Sequence, residues 1–154
     1  MKKEYKFLLF IVINFLALYI GSFLSQNGPS SDWYQSLNKA PWTPPGWVFG
    51  LAWTSIMVCY SFYMAILYKS DPRGNKVITL YAVQLFLNIA WNPLFFYFQY
   101  ALIALFCILF LTIIIAYFLF RNNRTMRWYS LLILPYFLWL CIATSLNFYI
   151  VIYN

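Results

Sequence analysis

Trp53, Met57, Tyr60 and Met64 recur at i, i+4, i+7 and i+11, which puts them on one stripe of a helix. Gln84, Asn88, Trp91 and Phe95 repeat the spacing, and Trp139, Ala143 and Asn147 follow at i, i+4 and i+8. If the three stripes converge, they line an aromatic pocket with a few amides, suited to a large, flat, mostly apolar ligand. The same side chains also serve as glue between helices, and spacing alone leaves both readings open. The chemistry on offer is narrow. The chain has no His, and no carboxylate lies inside an apolar run. General acid–base work, haem ligation through His and metal-assisted hydrolysis therefore lack their usual groups. Indole and phenol remain, and both are oxidisable. Cys59, Cys107 and Cys141 share no metal-binding spacing and are odd in number, so they read as small buried packing residues, and no metal site is expected.

These residues need a scaffold, and the composition says which solvent it folds in. Of 154 residues, 64% are hydrophobic, 24% aromatic and only 8% charged. A soluble domain carries about 25% charged residues. The charges that exist cluster between apolar runs long enough to cross ~30 Å of hydrocarbon, which takes about 20 helical residues. Spans are expected near 7–25, 45–68, 77–98, 101–120 and 128–151. They must be helical, because backbone groups in lipid need partners within their own segment, and the period-two alternation of a membrane barrel is absent. The expectation is an all-α integral membrane protein, one five-transmembrane-helix bundle over residues 1–154.

With five spans, Lys2, Lys3, Lys6, Lys69, Arg73, Lys76, Arg121, Arg124 and Arg127 share one side, and Lys39 alone lies on the other. That asymmetry predicts a cytoplasmic N-terminus and an outside C-terminus. The formal charge of +7 is then a topology signal and a contact with anionic lipid, not a nucleic-acid surface. The first apolar run is longer than a signal peptide's h-region and no A-x-A site follows it, so it is read as a retained span.

In "APWTPPGWVFGLAWT" (40–54), Thr43 is expected to cap a helix whose first turn holds Pro44 and Pro45. Trp42 and Trp47 would anchor at the lipid interface, while Trp53 lies about 9 Å deeper at 1.5 Å per residue. Pro93 cannot hydrogen-bond the Ile89 carbonyl, so the third helix should bend there, beside Asn88, Trp91 and Asn92. Ala17, Gly21 and Ser25 form a small-residue ridge for close packing. The outside loop 26–43 opens with turn-forming residues and carries Trp33, Tyr34 and Lys39; its length suits a lid, with a solvated connector as the plainer alternative.

The segments "WYQSLNKAPWTPPGWVFGLAWT", "LNIAWNPLFF" and "WLCIATSLNFY" resemble the translocator protein / tryptophan-rich sensory protein family, also called peripheral-type benzodiazepine receptors, from about Trp33 to Tyr149. The resemblance implies a five-helix bundle, usually a homodimer, in a bacterial cell membrane. It implies a pocket that takes porphyrins such as protoporphyrin IX, sterols and synthetic isoquinoline carboxamides, closed by the loop after the first span. Ligand contacts carried over by position are Trp33, Tyr34, Trp53, Asn88, Trp91, Phe95, Trp139, Ala143 and Asn147. Some bacterial members break down protoporphyrin in light. Trp53 and Trp139 would then be the residues supplying electrons, with porphyrin as ligand or substrate and no tightly bound cofactor. One departure is that "LNFYIVIYN" lacks the Lys or Arg that completes the cholesterol pattern of animal members, which makes sterol binding through it doubtful.

Three readings follow: a tetrapyrrole-binding receptor or sensor, which the resemblance favours; a light- and oxygen-dependent porphyrin-degrading enzyme on the same pocket; and a tetrapyrrole or sterol transporter. Against transport, there is no inverted repeat and no intramembrane carboxylate to couple an ion.

Overall fold

The computed structural model describes residues 3–70 and 74–154. Among them there are helices and no strands. Helix α1 spans Lys3–Leu24, α2 Asp32–Ser36, α3 Gly46–Ser70, α4 Gly74–Asn92, α5 Ala101–Arg121, α6 Asn123–Met126 and α7 Leu134–Tyr153. Helices α1, α3, α4, α5 and α7 are each long and apolar enough to cross a membrane. They close into a ring: α1 lies between α3 and α4, α4 reaches α5, α5 packs along α7, and α7 meets α3 in the most lightly packed seam.

The basic side chains collect at one end of this bundle. Lys6 of α1 lies 4.8 Å from the ring of Tyr68 at the end of α3. Lys76 of α4 lies 5.4 Å from the ring of Tyr117 at the end of α5. Lys2, Asp71 and Arg73, which the sequence assigns to the loops of that end, lie outside the described residues. Away from the ends the outer surface is apolar, as a lipid-facing surface must be; Leu16, Phe86, Phe110 and Phe148 all point outward. Trp47 at the start of α3 is exposed, in keeping with an interfacial anchor.

Three helix boundaries differ from the sequence reading, each through proline. Pro44 and Pro45 do not sit in the first turn of α3; the helix starts at Gly46, and the amide of Val48 donates to the Pro45 carbonyl at 2.9 Å. Thr43 lies outside the helix in a turn closed by its amide on the Ala40 carbonyl at 2.9 Å, so it is not the cap. Helix α7 begins at Leu134 rather than near 128, because Pro135 fits only in a first turn; residues Arg127–Leu132 form a 3-10 segment instead. At Pro93, α4 passes into a π turn, Pro93–Tyr97, in which the Phe98 amide reaches the Pro93 carbonyl at 2.8 Å. Widening the turn is the way this helix absorbs a residue with no N–H.

Helix α1 packs through its small-residue ridge. Ala17, Gly21 and Ser25 are buried. A Cβ on Gly21 would stand 2.8 Å from Asn92 Nδ2 of α4, so glycine is what lets these two helices approach. Deeper in the bundle, Asn14 donates to Ser61 Oγ at 2.8 Å and accepts from the Tyr81 hydroxyl at 2.8 Å, joining α1, α3 and α4 through one amide. Ser61 in turn donates to the Met57 carbonyl at 2.6 Å. Such bonds within membrane bundles contribute about 0.6–2 kcal/mol each.

Candidate functional site: an aromatic interior under a folded loop

The loop after α1 is not a solvated connector. Gln26, with φ 53°, turns the chain out of the helix, and Ser31 Oγ accepts the Tyr34 amide at 3.3 Å to start α2. Gln35 holds this short helix against the preceding turn by donating to the Pro29 carbonyl at 2.7 Å. Lys39 donates to Gln35 Oε1 at 3.1 Å and sits 4.9 Å from the centre of the Tyr34 ring. The chain then crosses to the far end of α7. The Asn38 amide donates to Asn154 Oδ1 at 2.8 Å, and Asn154 Nδ2 returns a bond to the Asn38 carbonyl at 3.2 Å. Trp42 Nε1 donates to Ser145 Oγ at 3.1 Å, with its ring edge-on to Tyr149 at 5.6 Å. Trp42 thus fastens the loop to α7 as well as facing the membrane boundary.

Beneath that loop, the π turn of α4 supplies two neighbouring rings. Tyr34 lies edge-on to Phe95 at 6.1 Å and to Phe96 at 5.5 Å. Trp33 meets Phe95 at 5.5 Å. Trp91 stacks on Phe95 at 5.2 Å, one turn further in. Aromatic pairs of this kind contribute about 0.5–1.5 kcal/mol each beyond their buried area. Burial raises the Tyr34 phenol above its ordinary pKa, so it stays neutral. The polar end of Trp91 is fixed by α7: its indole N–H donates to Asn147 Oδ1 at 3.1 Å, while Asn147 Nδ2 donates to the Ala101 carbonyl at 2.9 Å.

A second aromatic group fills the light seam between α3 and α7. Trp53 lies edge-on to Tyr136 at 5.9 Å, and Phe49 lies edge-on to Trp139 at 5.4 Å. Trp139 is 7% exposed, and its indole N–H is buried without an acceptor. A buried donor left unpaired costs about 1–3 kcal/mol, so this N–H is a ready hydrogen bond for an acceptor brought from outside the chain.

Seven of the nine residues singled out from the sequence fall into two groups. Trp33, Tyr34, Trp91, Phe95 and Asn147 meet under the loop. Trp53 and Trp139 belong to the α3–α7 seam and pack with Trp91 against the same main core. Asn88 is buried on α4, its backbone carbonyl accepting from the Asn92 side-chain Nδ2 at 3.1 Å. Ala143 is buried on α7, one turn from both Trp139 and Asn147. Among the described residues no ring contact joins Trp91 directly to Trp53 or Trp139.

Below this site lies a polar core for which the sequence reading had Gln84 and Tyr60 on inward stripes but not Tyr136 or Asn14. Gln84 Nε2 donates to the Tyr136 hydroxyl at 2.7 Å, and Tyr136 packs edge-on against Tyr60 at 5.2 Å. The Tyr60 hydroxyl and Gln84 Oε1 are buried without partners. Asn14, the one amide in the first apolar run, was the signal that such a core exists. Cys107 is buried, but Cys141 faces outward, so only part of the expected packing role of the cysteines holds. No group of metal-ligating residues occurs among the described residues.

The comparisons with known proteins agree with this architecture. Residues 9–153 match the TspO/MBR family. The chain is 34% identical over 117 residues to the tryptophan-rich sensory protein of Cereibacter sphaeroides, covering 76% of this chain and 73% of that protein. It is 33% identical over 143 residues to the tryptophan-rich protein TspO of Archaeoglobus fulgidus, covering 88% of each. It is 30% identical over 146 residues to the human translocator protein, covering 86% of this chain and 83% of that one. With five membrane-length helices, an aromatic interior and a match along nearly its whole length, this chain is a multi-pass integral membrane protein and belongs to the TspO/MBR family.

Proposed function

We propose that the protein is a membrane receptor or sensor that binds porphyrins, protoporphyrin IX among them, and related large apolar ligands within the helix bundle. The observation that carries this reading is the buried Trp139 indole N–H, which has no acceptor and stands in the lightly packed α3–α7 seam among Phe49, Trp53 and Tyr136. A flat macrocycle matches aromatic walls by stacking, and an acceptor on its rim satisfies that donor. Trp33 and Tyr34 then cover the ligand from the loop, and Ala143 leaves room for it. No tightly bound cofactor is needed. The protein sits in a bacterial cell membrane as a homodimer, with the Lys- and Arg-rich end cytoplasmic, following the positive-inside asymmetry.

A second reading, light- and oxygen-dependent porphyrin degradation, is favoured by the packing of two oxidisable rings, Trp53 and Tyr136, at 5.9 Å. The porphyrin would absorb the light, and the indoles at the site would supply electrons to its excited state. Incubating purified protein with protoporphyrin in the dark and under illumination tests both readings. Binding without bleaching in the light leaves a receptor, protein-dependent bleaching makes it an enzyme, and no binding in either condition removes both. Uptake of protoporphyrin into sealed vesicles would instead favour transport.

A further inference from the structure

The connection between α5 and α7, at the opposite end from the loop that covers the aromatic interior, borders an open surface cavity of about 540 Å³. Its lining is mixed: Phe120, Trp128, Leu131 and Leu134 supply apolar surface, and Asn123, Arg127 and Ser130 supply polar groups. Three observations at this place bear on what it could hold.

The first is charge. Arg121, Arg124 and Arg127 follow one another at three-residue spacing, and all are exposed. Among the described residues no carboxylate pairs with any of them. The second is backbone shape. Arg127 has φ 50° and ψ −119°, a conformation that glycine adopts freely and other residues rarely do. That turn carries the chain from α6 into the 3-10 segment and sets Arg127 and the largely exposed Trp128 on the wall of the groove, with Tyr129 exposed beside them. The third is an orphan group. Ser130 lines the cavity and is only 8% exposed, and its hydroxyl is buried with no hydrogen-bond partner.

We infer that this cavity binds one anionic phospholipid of the surrounding bilayer. The guanidinium of Arg127 takes the phosphate, since its planar donors match phosphate oxygens in pairs. Ser130 and Asn123 complete the polar end. The first methylenes of an acyl chain lie on Phe120, Leu131 and Leu134. Trp128, 81% exposed, and Tyr129 mark the level of the headgroups, as aromatic side chains at a membrane boundary do. A free inorganic anion would leave the apolar lining uncovered. A zwitterionic headgroup would bring its own cation up to three arginines. An anionic lipid meets both kinds of lining.

The test uses the full chain in nanodiscs containing equal amounts of phosphatidylglycerol and phosphatidylcholine, released into a mass spectrometer under native conditions. Wild type should retain phosphatidylglycerol in clear preference, and Arg127→Gln should reduce that preference about fivefold, the effect expected of one basic residue near an anionic surface. Arg127→Gly keeps the experiment decisive if the glutamine variant fails to fold, because glycine is at ease at this φ. It should raise the thermal midpoint in pure phosphatidylcholine while also lowering phosphatidylglycerol retention. Millimolar sodium phosphate or glycerol phosphate should not displace the lipid. Equal retention of the two lipids by wild type, or unchanged preference in both Arg127 variants, overturns the site. Displacement by sodium phosphate overturns the lipid assignment in favour of a free-anion site. None of these outcomes depends on porphyrin binding.

Discussion

Trp91 on α4 and Asn147 on α7 are joined by a 3.1 Å hydrogen bond from the indole N–H to the carboxamide oxygen. The two residues lie 56 positions apart in the chain. The same amide donates to the Ala101 carbonyl at 2.9 Å, at the first turn of α5. One side chain therefore ties three helices at the level where the aromatic interior begins.

Asn147→Ala should leave the Trp91 N–H without its acceptor and remove the extra bond on the Ala101 carbonyl. A buried group left without a partner costs about 1–3 kcal/mol. A lower thermal midpoint in detergent, followed by near-ultraviolet circular dichroism, is the expected outcome; an unchanged midpoint would mean that the amide carries no weight in holding α4, α5 and α7 together.

The covering loop should govern how long a ligand stays. Tyr34 touches both Phe95 and Phe96, and Asn38 and Asn154 clamp the loop to α7 by two bonds. Tyr34→Ala should speed porphyrin release more than it slows binding, roughly tenfold in the off-rate if about 1.4 kcal/mol of contact is lost. Stopped-flow fluorescence separates the two rates. A slower on-rate with an unchanged off-rate would count against a lid.

Helix α1 should be sensitive at one glycine. Gly21→Val places a branched side chain where even a Cβ would lie 2.8 Å from Asn92 Nδ2. Overpacking of this kind costs about 1–3 kcal/mol. Gly21→Ala should cost less, since Asn92 is a side chain that can move and alanine regains about 0.5–1 kcal/mol of helix propensity. Thermal unfolding of the two variants should rank them in that order.

If the site performs light chemistry, Trp53→Phe and Trp139→Phe should keep the flat apolar wall but slow protoporphyrin bleaching, because phenylalanine is much harder to oxidise. Absorbance decay at matched occupancy measures this. Equal decay in wild type and both variants would leave the indoles as binding groups only.

The five spans were legible because charge is confined between apolar runs and lipid admits only helices there. Their faces were legible too: the stripes of α4 and α7 turn inward, with Phe95, Trp139 and Asn147 all buried. Helix starts were less so. Residues 128–133 are apolar enough to extend the last span, and only the fixed geometry of Pro135 moves its start to Leu134. At Pro93 the sequence reading expected a bend, and the helix instead widens into a π turn, because a missing N–H says that the ladder breaks and not how the chain absorbs the break. The short α2 depends on a single Ser31 cap, and its docking on Phe95 and Phe96 depends on that π turn. The Asn14–Ser61–Tyr81 network joins residues 47 and 67 positions apart, pairings that one sequence does not disclose.

The central claim, that a porphyrin occupies the aromatic interior beside Ala143, is tested most directly by a dark fluorescence-quenching titration of wild type and Ala143→Thr with protoporphyrin IX. Ala143 is buried one turn from Trp139 and Asn147, so an added methyl and hydroxyl overfill the site at about 1–3 kcal/mol. Saturable quenching by wild type, with roughly five- to hundredfold weaker binding by Ala143→Thr, is the predicted result. Quenching that does not saturate, or identical saturation curves for the two proteins, would contradict it.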